Sequence, residues 1–501
     1  MSFQFQRQVG EARPAPAQAE LPHHVTQDAV VIVPGIMGSE LRSAETGEVL
    51  WGLSGARWLL RAWTRREGLA ALHLTEDELT GKTGRVVATQ LLRHGTWTPY
   101  LRGQEPYTDL VDTVRDYVAD PAAIMTFPYD WRLPVAVNGK LLAARAREHL
   151  TAWRAHPAHL AALRHRADGR PARLVFLAHS MGGLVTRSAL DGSHFDDLAA
   201  DTRTVVTLGT PFYGSVKATV ILNSGRGAPV PLPHAKLRDL CATMPGLHDL
   251  LPLYRCLRTA DDVRRLDTSD IIALGGHPDL ARDALAFHAG QQSVSLPDHR
   301  AVVGTRQPTW QSLALDSGHV TAYESGARQH SDGTLIRDAA GRVLHFSAHG
   351  DGTVYREAAS LTRNVSLLPV QHGDLARADS VLDTVADILL EDAPAGPPLP
   401  GDSGPGGCGL SVPDLAEAGA PWEATAPDVD TMQGLTFTLT NTETGTERPV
   451  PAQMRDGTPT ATITVEAPGL YRVALHTYDR YVISQLVLVG EAGMGMVDQV
   501  R

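Results

Sequence analysis

The stretch that most constrains the fold is residues 173–187, which read RLVFLAHSMGGLVTR. Its apolar residues 174–177 predict a buried strand, and the residues after Gly183 continue with helical spacing. Between them lies a turn of small residues with Ser180 at its tip. Small residues are needed there because the strand and helix backbones pass close together. The stretch therefore predicts a strand–turn–helix unit that exposes the Ser180 hydroxyl. An ordinary turn that contains a serine is the simpler alternative.

Two backbone amides are candidates for stabilising an oxyanion beside this serine. The Met181 amide would lie at the N-terminus of the helix that follows Ser180, where it can point toward a developing negative charge. The second candidate follows the apolar run 29–33, in the segment 34–39 (PGIMGS). A turn after the first strand is where serine hydrolases of this type supply a second donor, and Met37 is our candidate. A simple glycine turn is the alternative.

A serine hydroxyl is a weak nucleophile at neutral pH and needs a histidine base, which in turn needs a carboxylate partner. On a strand–serine–helix scaffold these groups follow in the chain order Ser, Asp or Glu, His. Asp351 lies between Gly350 and Gly352 in a predicted loop, and His372 lies in a loop just after a predicted strand. We therefore predict Asp351 as the acid and His372 as the base.

Other residues could in principle fill these roles. His349 is close to Asp351 in sequence, too close to reach the serine from its own loop. His179 precedes the serine and would point away from its hydroxyl. Asp374 is a second candidate for the acid.

The arrangement of apolar segments predicts an α/β fold with a mostly parallel sheet covered by helices on both faces. The predicted strands are residues 29–33, 124–127, 174–177, 204–208, 270–274, 300–303 and 364–368. The predicted helices are residues 107–118, 140–163 and 380–390. Residues 216–265 interrupt this alternation, and we interpret them as an inserted cap.

The two ends of the chain differ from the α/β domain, which we place at residues 28–392. Residues 1–27 are rich in Pro, Ala and Gln and predict a disordered tail. Residues 393–411 are dense in Pro and Gly and predict a linker. After the linker, apolar and polar residues alternate in segments 435–440, 461–465, 471–475 and 481–489, which predicts a small β-sandwich over residues 412–501.

Composition excludes several classes of function. The net charge is -11 and no block of Lys and Arg occurs, so we expect no nucleic-acid partner. We see no secretory signal and no apolar run of about 18 residues.

The three cysteines lack metal-like spacing and predict reduced thiols in a cytoplasmic protein, with a Cys241–Cys256 disulfide as the alternative. We expect no metal or cofactor, and assign His23 and His24 to the tail.

Residues 51–74 combine tryptophans with arginines in a short amphipathic segment. Trp51, Trp58 and Trp63 are its tryptophans. Such a composition suits a lipid–water interface, where aromatic rings and arginine stems contact the apolar side. A helix packed on the body of the protein is the alternative.

Taken together, these motifs resemble the lecithin:cholesterol acyltransferase and lysosomal phospholipase A2 family of α/β-hydrolases. The motifs are residues 33–41 with Trp51 downstream, 128–132 (PYDWR), 178–183 (AHSMGG), 209–215 (GTPFYGS), 245–252, and 350–354 (GDGTV) with His372. The resemblance implies Ser180 as nucleophile, Asp351 as acid, His372 as base, and Met37 and Met181 as oxyanion donors. It also implies a membrane-facing segment around 51–72 and a cap over an acyl pocket. We add Trp131 to the expected substrate- or membrane-facing residues.

The resemblance implies a serine-dependent lipid ester hydrolase or acyltransferase, of the phospholipase A or lipase type, that needs no cofactor. We expect a cytoplasmic protein that binds membranes peripherally, because the chain lacks the signal and the disulfides of the secreted and lysosomal mammalian members. The alternative is a non-catalytic scaffold whose C-terminal β-sandwich binds a partner.

The tryptophan segment gives a first testable prediction. Replacing Trp58 and Trp63 with Ala should lower activity on liposomes far more than on a soluble short-chain ester, because only the liposome requires an interfacial contact. Parallel assays of the double variant on both substrates measure the difference. An equal loss on the two substrates would instead assign these residues to the core.

Overall fold

The structure is a computed structural model. It describes residues 25–52, 69–92, 107–164, 169–192, 198–228, 232–330, 333–361, 364–390, 409–427, 429–477 and 482–491. Trp58, Trp63, His23, His24, Cys408, residues 1–24 of the predicted tail and most of the predicted linker lie outside these ranges.

The described residues form strands and helices that are numbered here in chain order. The strands are β1 (Ala29–Val33), β2 (Ser39–Ser43), β3 (Val49–Trp51), β4 (Val86–Leu91), β5 (Ile124–Thr126), β6 (Leu174–His179), β7 (Thr202–Leu208), β8 (Leu257–Arg258), β9 (Val263–Arg264), β10 (Arg300–Gly304), β11 (Ser312–Asp316), β12 (His319–Tyr323), β13 (Gly326–Ala327), β14 (His345–Phe346), β15 (Val365–Leu368), β16 (Leu415–Glu417), β17 (Trp422–Thr425), β18 (Thr436–Asn441), β19 (Glu447–Val450), β20 (Ala452–Arg455), β21 (Thr458–Ile463), β22 (Gly469–His476) and β23 (Val482–Gly490). The helices are α1 (Glu76–Leu79), α2 (Thr108–Asp116), α3 (Val135–Ala155), α4 (Pro157–Leu163), α5 (Met181–Ala189), α6 (Val216–Ser224), α7 (His234–Cys241), α8 (Pro245–His248), α9 (Thr268–Ala273), α10 (Pro278–Gln291) and α11 (Asp379–Leu389).

A six-stranded parallel sheet organises the α/β domain, in the order β15–β10–β7–β6–β1–β5. Every residue of β1 and of β6 is buried. Strands buried on both faces read as continuous apolar runs, and this is the pattern that predicted them. The predicted α/β class is confirmed. Because the strands are parallel, the loops after β1, β6, β7 and β15 leave the same edge of the sheet.

One predicted strand of this sheet is wrong. Residues 270–273 belong to helix α9, which begins after Asp267, and Leu274 caps its C-terminal end. The Asp267 side chain accepts a hydrogen bond from the Asp270 amide, and the Asp270 side chain accepts one from the Asp267 amide. This reciprocal capping satisfies amides that a helix start leaves unpaired, and it favours a helix for a short apolar run.

The three predicted helices are observed, with one change. Residues 107–118 contain α2 and residues 380–390 contain most of α11. Residues 140–163 contain most of α3, which begins earlier at Val135, and all of α4, because the chain leaves the helical conformation at His156 just before Pro157. A residue that precedes proline is sterically disfavoured from the helical region, so α3 ends there and α4 starts anew.

Three small sheets were not predicted. They have the orders β3–β2–β4, β12–β11–β8–β9 and β13–β14. Their strands are short and partly exposed. Polar and apolar residues do not alternate regularly along β2 or β4, so the sequence showed no strand pattern there. Residues 216–265, the predicted cap, form α6, α7, α8, β8 and β9. A position over an acyl pocket stays a prediction for this segment.

The predicted start of the α/β domain is slightly late. Thr26, assigned to the tail, donates from its amide to the Tyr117 carbonyl at 2.8 Å and is buried. The ordered part of the chain therefore includes the last residues of the predicted tail. In the described ranges, no helix combines the length and apolar composition that crossing a bilayer requires.

A second unit, built mostly of antiparallel strands, follows the predicted linker. Its two sheets have the orders β16–β23–β22–β18–β19 and β17–β21–β20, and side chains from both sheets form one apolar core. The four strands expected from alternation correspond to β18, β21, β22 and β23. Strands β16, β17, β19 and β20 complete the sandwich.

Helix α5 approaches β1 so closely that one position requires glycine. A Cβ atom added to Gly182 would lie 2.5 Å from the Pro34 carbonyl oxygen and 2.6 Å from that of Val33. Both are backbone atoms of the loop and strand beside the serine, so neither can move aside easily.

We therefore expect Gly182→Ala to destabilise the protein by about 1–3 kcal/mol, the usual cost of overpacking. The matched control is Gly290→Ala, because Gly290 is exposed on α10 and an added Cβ there meets nothing within 4 Å. That variant should be neutral or gain up to about 1 kcal/mol. Denaturant unfolding of both variants tests this. Equal stability of the two would show that the loop relaxes around the methyl group.

Candidate active site

Ser180 occupies the turn between β6 and α5 and has an unusual backbone conformation. Its φ is 53° and its ψ is -128°, a region that L-residues rarely adopt. The Ser180 amide donates a hydrogen bond to the Leu208 carbonyl at 2.9 Å, which fixes the turn to the end of β7. Strain of this kind marks functional sites because the surrounding structure has to maintain it. The predicted strand–turn–helix unit is thus present.

His372 and Asp351 are joined to this serine by two hydrogen bonds. His372 Nε2 lies 2.9 Å from Ser180 Oγ, and His372 Nδ1 lies 2.7 Å from Asp351 Oδ2. A carboxylate accepts, so Nδ1 carries the proton and Nε2 accepts from the serine hydroxyl. The structure therefore brings together the three residues predicted from the sequence, in the geometry of a nucleophile, base and acid.

The acid is held in place by its own loop. Asp351 Oδ1 accepts from the amides of Thr353 at 2.9 Å and Val354 at 2.7 Å. The His372 amide donates to the Asp351 carbonyl at 2.8 Å, so the acid and base loops are tied through their backbones. The Lys217 ammonium donates to the Gly352 carbonyl and to the Thr353 hydroxyl, each at 3.3 Å. Sequence reasoning missed this contact of α6 with the acid loop.

Gly209, at the end of β7, lies directly beneath the acid and base. An added Cβ would lie 2.9 Å from Asp351 Oδ2 and 3.1 Å from His372 Nδ1, and the φ of Gly209 is 61°. Both the space and the conformation require glycine. This explains the first residue of the 209–215 motif, to which the sequence alone assigned no role.

Of the two predicted oxyanion donors, Met181 follows Ser180 in the chain, and Met37 follows β1, the strand that pairs with β6. Met181 is the first residue of α5, and Met37 lies in the turn after β1 with a φ of 63°. The turn is held by the Trp51 indole, whose Nε1 donates to the Met37 carbonyl at 2.9 Å. The Gly35 amide, in the same turn, donates its hydrogen bond to the Tyr107 hydroxyl at 2.8 Å and is therefore not a candidate donor. Met37 and Met181 remain the predicted donors.

A buried hydrogen-bond chain connects this turn to the base loop through His179. His179 Nε2 lies 3.0 Å from the His372 carbonyl, and Nδ1 lies 2.9 Å from the Tyr107 hydroxyl. A carbonyl only accepts, so Nε2 carries the proton and Nδ1 accepts from Tyr107. Burial, with the charge of His372, lowers the pKa of His179 to about 3. His179 is therefore a neutral connector, and sequence reasoning missed its partner Tyr107.

The other candidates lie elsewhere. His372, not His349, contacts Ser180. Asp374 pairs with Arg377 at 2.6 Å rather than with His372. Cys241 and Cys256 are buried, unpaired thiols, so the alternative disulfide is not formed. Burial raises the pKa of the Cys241 thiol to about 12, which makes it unreactive.

Two of the predicted membrane-facing tryptophans are core residues. Trp51 and Trp131 are each 2% exposed, and their rings meet edge to face with centroids 5.3 Å apart. Trp131 Nε1 donates to the Ser39 carbonyl at 3.3 Å. Their burial does not agree with a membrane-facing position. The sequence could not separate these indoles from exposed ones, because core and interface both use tryptophan.

Comparison with known proteins supports the family resemblance. Residues 98–273 match the lecithin:cholesterol acyltransferase family. This range contains Ser180 and confirms the resemblance seen in the motifs. No curated protein sequence matches the chain significantly.

Several solved structures are similar at low identity. A chain of the Tle4–Tli4 complex is 14% identical, with a TM-score of 0.43, and the match covers 72% of this chain and 98% of that one. Bacillus licheniformis lipase BlEst2 in its mature form is 15% identical, with a TM-score of 0.29, covering 75% and 96%. The M1 domain from titin is 14% identical, with a TM-score of 0.13, covering 16% and 86%.

The neutral state of His179 predicts a pH dependence of stability. Unfolded histidine binds a proton below about pH 6.5, whereas folded His179 does so only near pH 3, so stability falls as the pH drops below 6.5. This residue alone should contribute a loss of about 2 kcal/mol between pH 7 and pH 5. His248, His288 and His299, whose pKa values burial also lowers, add to the slope.

A variant of His179 isolates the contribution of this residue to the pH dependence of stability. His179→Gln should show a shallower fall in the free energy of unfolding between pH 7 and pH 5 than the wild type. Tyr107→Phe is the control, because it removes the partner of His179 without removing a group that titrates in this range. It should lower stability similarly at both pH values. A wild-type slope in His179→Gln would contradict the assignment.

Proposed function

We propose that this chain is a serine-dependent lipid ester hydrolase or acyltransferase that works through an acyl–Ser180 intermediate. The observation that carries the proposal is the hydrogen-bonded series Ser180–His372–Asp351, with 2.9 Å and 2.7 Å between its members. The family match over residues 98–273 supports the same class of reaction. The strained backbone of Ser180 adds support, because a serine without a chemical role would not require it.

In the first half of the reaction, Ser180 attacks the ester carbonyl of an acyl lipid. His372 Nε2 takes the hydroxyl proton as the Oγ–carbon bond forms. The negative charge that develops on the carbonyl oxygen would be stabilised by the amides of Met37 and Met181. His372 then gives the proton to the leaving alcohol as the ester bond breaks, and the acyl group stays on Ser180.

In the second half, water or another alcohol attacks the acyl–Ser180 ester. His372 takes a proton from the attacking oxygen and returns it to Ser180 Oγ as the acyl group leaves. Water gives a free fatty acid, and an alcohol gives a new ester. Asp351 holds the imidazole in the required tautomer and balances its positive charge in both halves. No metal or cofactor takes part in these steps.

Glycerophospholipid in a membrane is the proposed acyl donor. The part of the predicted membrane-facing segment that contains Trp58 and Trp63 would provide the contact with the membrane surface, with these two residues as its apolar contacts. The arginines of the same segment suit an anionic surface.

Lipid mass spectrometry on mixed phospholipid vesicles tests the proposal. Wild type should release lysophospholipid together with a fatty acid or a new acyl ester, and Ser180→Ala should release none. Asp351→Asn should lower turnover by roughly 10⁴-fold, because the histidine loses its tautomer. Ser188→Ala is the matched control, since Ser188 is a buried serine in the last turn of α5, at the opposite end of that helix from Ser180, and should retain wild-type turnover.

A fluorophosphonate probe separates this proposal from a scaffold role. Labelling of the folded wild type at Ser180, and its absence in Ser180→Ala, supports an activated serine. Folded wild type that is neither labelled by the probe nor active on any acyl lipid would contradict the proposal and favour a scaffold.

A further inference from the structure

Strand β23 of the sandwich is shared between two apolar cores. Ile483, Val487 and Val489 belong to the core of the sandwich. Leu486 and Leu488 instead belong to the core of the α/β domain, as does Leu470 on β22. Alternate residues of a strand point to opposite faces, so one face of β23 packs on the α/β domain along its length. The sandwich is therefore seated on the domain that carries Ser180.

Ser484 lies on this same face of β23 and contacts the α/β domain through its backbone. Its amide donates to Gln371 Oε1 at 3.2 Å, and its carbonyl accepts from Gln371 Nε2 at 3.3 Å. Strand β16 pairs with β23 further along, at Leu488–Gly490. The Gln371 side-chain amide thus pairs with the edge of β23 through one donor and one acceptor, as a peptide group of a neighbouring strand would.

Gln371 is the residue before His372, the proposed base. Three contacts fix the backbone around this histidine. Its amide donates to the Asp351 carbonyl, its carbonyl accepts from His179, and the preceding Gln371 is bound to Ser484. The first two contacts come from the α/β domain, and the third comes from the sandwich.

A charged contact lies on the other side of the histidine. The Asp374 side chain is 13% exposed, and burial raises its pKa, while Arg377, the Gln371 side chain and Arg472 act in the opposite direction. Arg377 belongs to the same loop, but Arg472 comes from β22 of the sandwich. The sandwich therefore holds the base loop through Ser484 before His372, and the charge of Arg472 acts on Asp374 after it.

We propose that the β-sandwich positions the catalytic base, and that Gln371 is the positioning residue through which it does so. The proposal rests on the proposed function. A loop that is tied only to the α/β domain would let the imidazole move relative to Ser180 Oγ, and displacements of about 1 Å cost roughly 100-fold in rate. The sandwich is then a working part of the active site, although none of its described residues hydrogen-bonds to the serine.

The test is Gln371→Met in the full chain, which keeps the side-chain length and removes both hydrogen bonds to Ser484. We expect kcat on a soluble short-chain ester to fall about 10- to 100-fold, with KM within about twofold, because the base moves while the substrate contacts stay. The rate of fluorophosphonate labelling of Ser180 should fall in parallel. Gln371→Asn, whose amide is one methylene shorter, should give an intermediate loss and keeps the test open if Gln371→Met does not fold.

The matched control is Gln291→Met on α10. Gln291 is buried and donates to Asp191 at 3.3 Å, away from the base loop, so the same change there should leave kcat unaltered. If wild type is active and the kcat of Gln371→Met lies within twofold of the wild-type value, the positioning proposal is overturned, but the proposed function is not. An equal fall in kcat for Gln291→Met would also overturn the positioning proposal. An inactive wild type would instead overturn the proposed function on which the proposal rests.

Discussion

Holding Ser180 in a conformation that serine avoids is the constraint on which the rest of this structure depends. A backbone with φ of 53° and ψ of -128° costs of order 1–3 kcal/mol, and neighbouring contacts have to offset it. Strand β6 does so from the middle of the sheet, where it is hydrogen-bonded to β1 on one side and β7 on the other. All six of its residues are buried, so relaxing the turn would disturb the centre of the domain.

The acid and the base are supported in a different way, because they lie on loops. Asp351 is fixed by two amides of its own loop, and His372 together with the preceding Gln371 is fixed by contacts with three separate parts of the chain. Most of these contacts are made by backbone atoms or by neutral buried groups such as His179. The site therefore combines one rigid residue on the sheet with two residues whose positions depend on loop-to-loop hydrogen bonds.

The sequence was informative where one local pattern decides the structure. Apolar runs predicted the buried strands, and small residues around Ser180 predicted its turn. Local pattern failed at residues 270–274, where the Asp267–Asp270 capping contacts favour a helix over a strand. It also failed for Tyr107 and Gln371, whose partners His179 and Ser484 lie 72 and 113 residues away. The burial of Trp51 and Trp131 likewise depends on packing between distant segments.

The separation of the proposed catalytic residues along the chain also affects the order in which they appear during synthesis. Ser180 and His372 are 192 residues apart, and Asp351 and His372 are 21 residues apart. At a synthesis rate of about 5–20 residues per second, roughly 10–40 seconds pass between the emergence of the serine and that of its base. During that interval the nascent chain carries the proposed nucleophile without its proposed base. The order of the residues thus means that the serine–histidine hydrogen bond can form only late in synthesis.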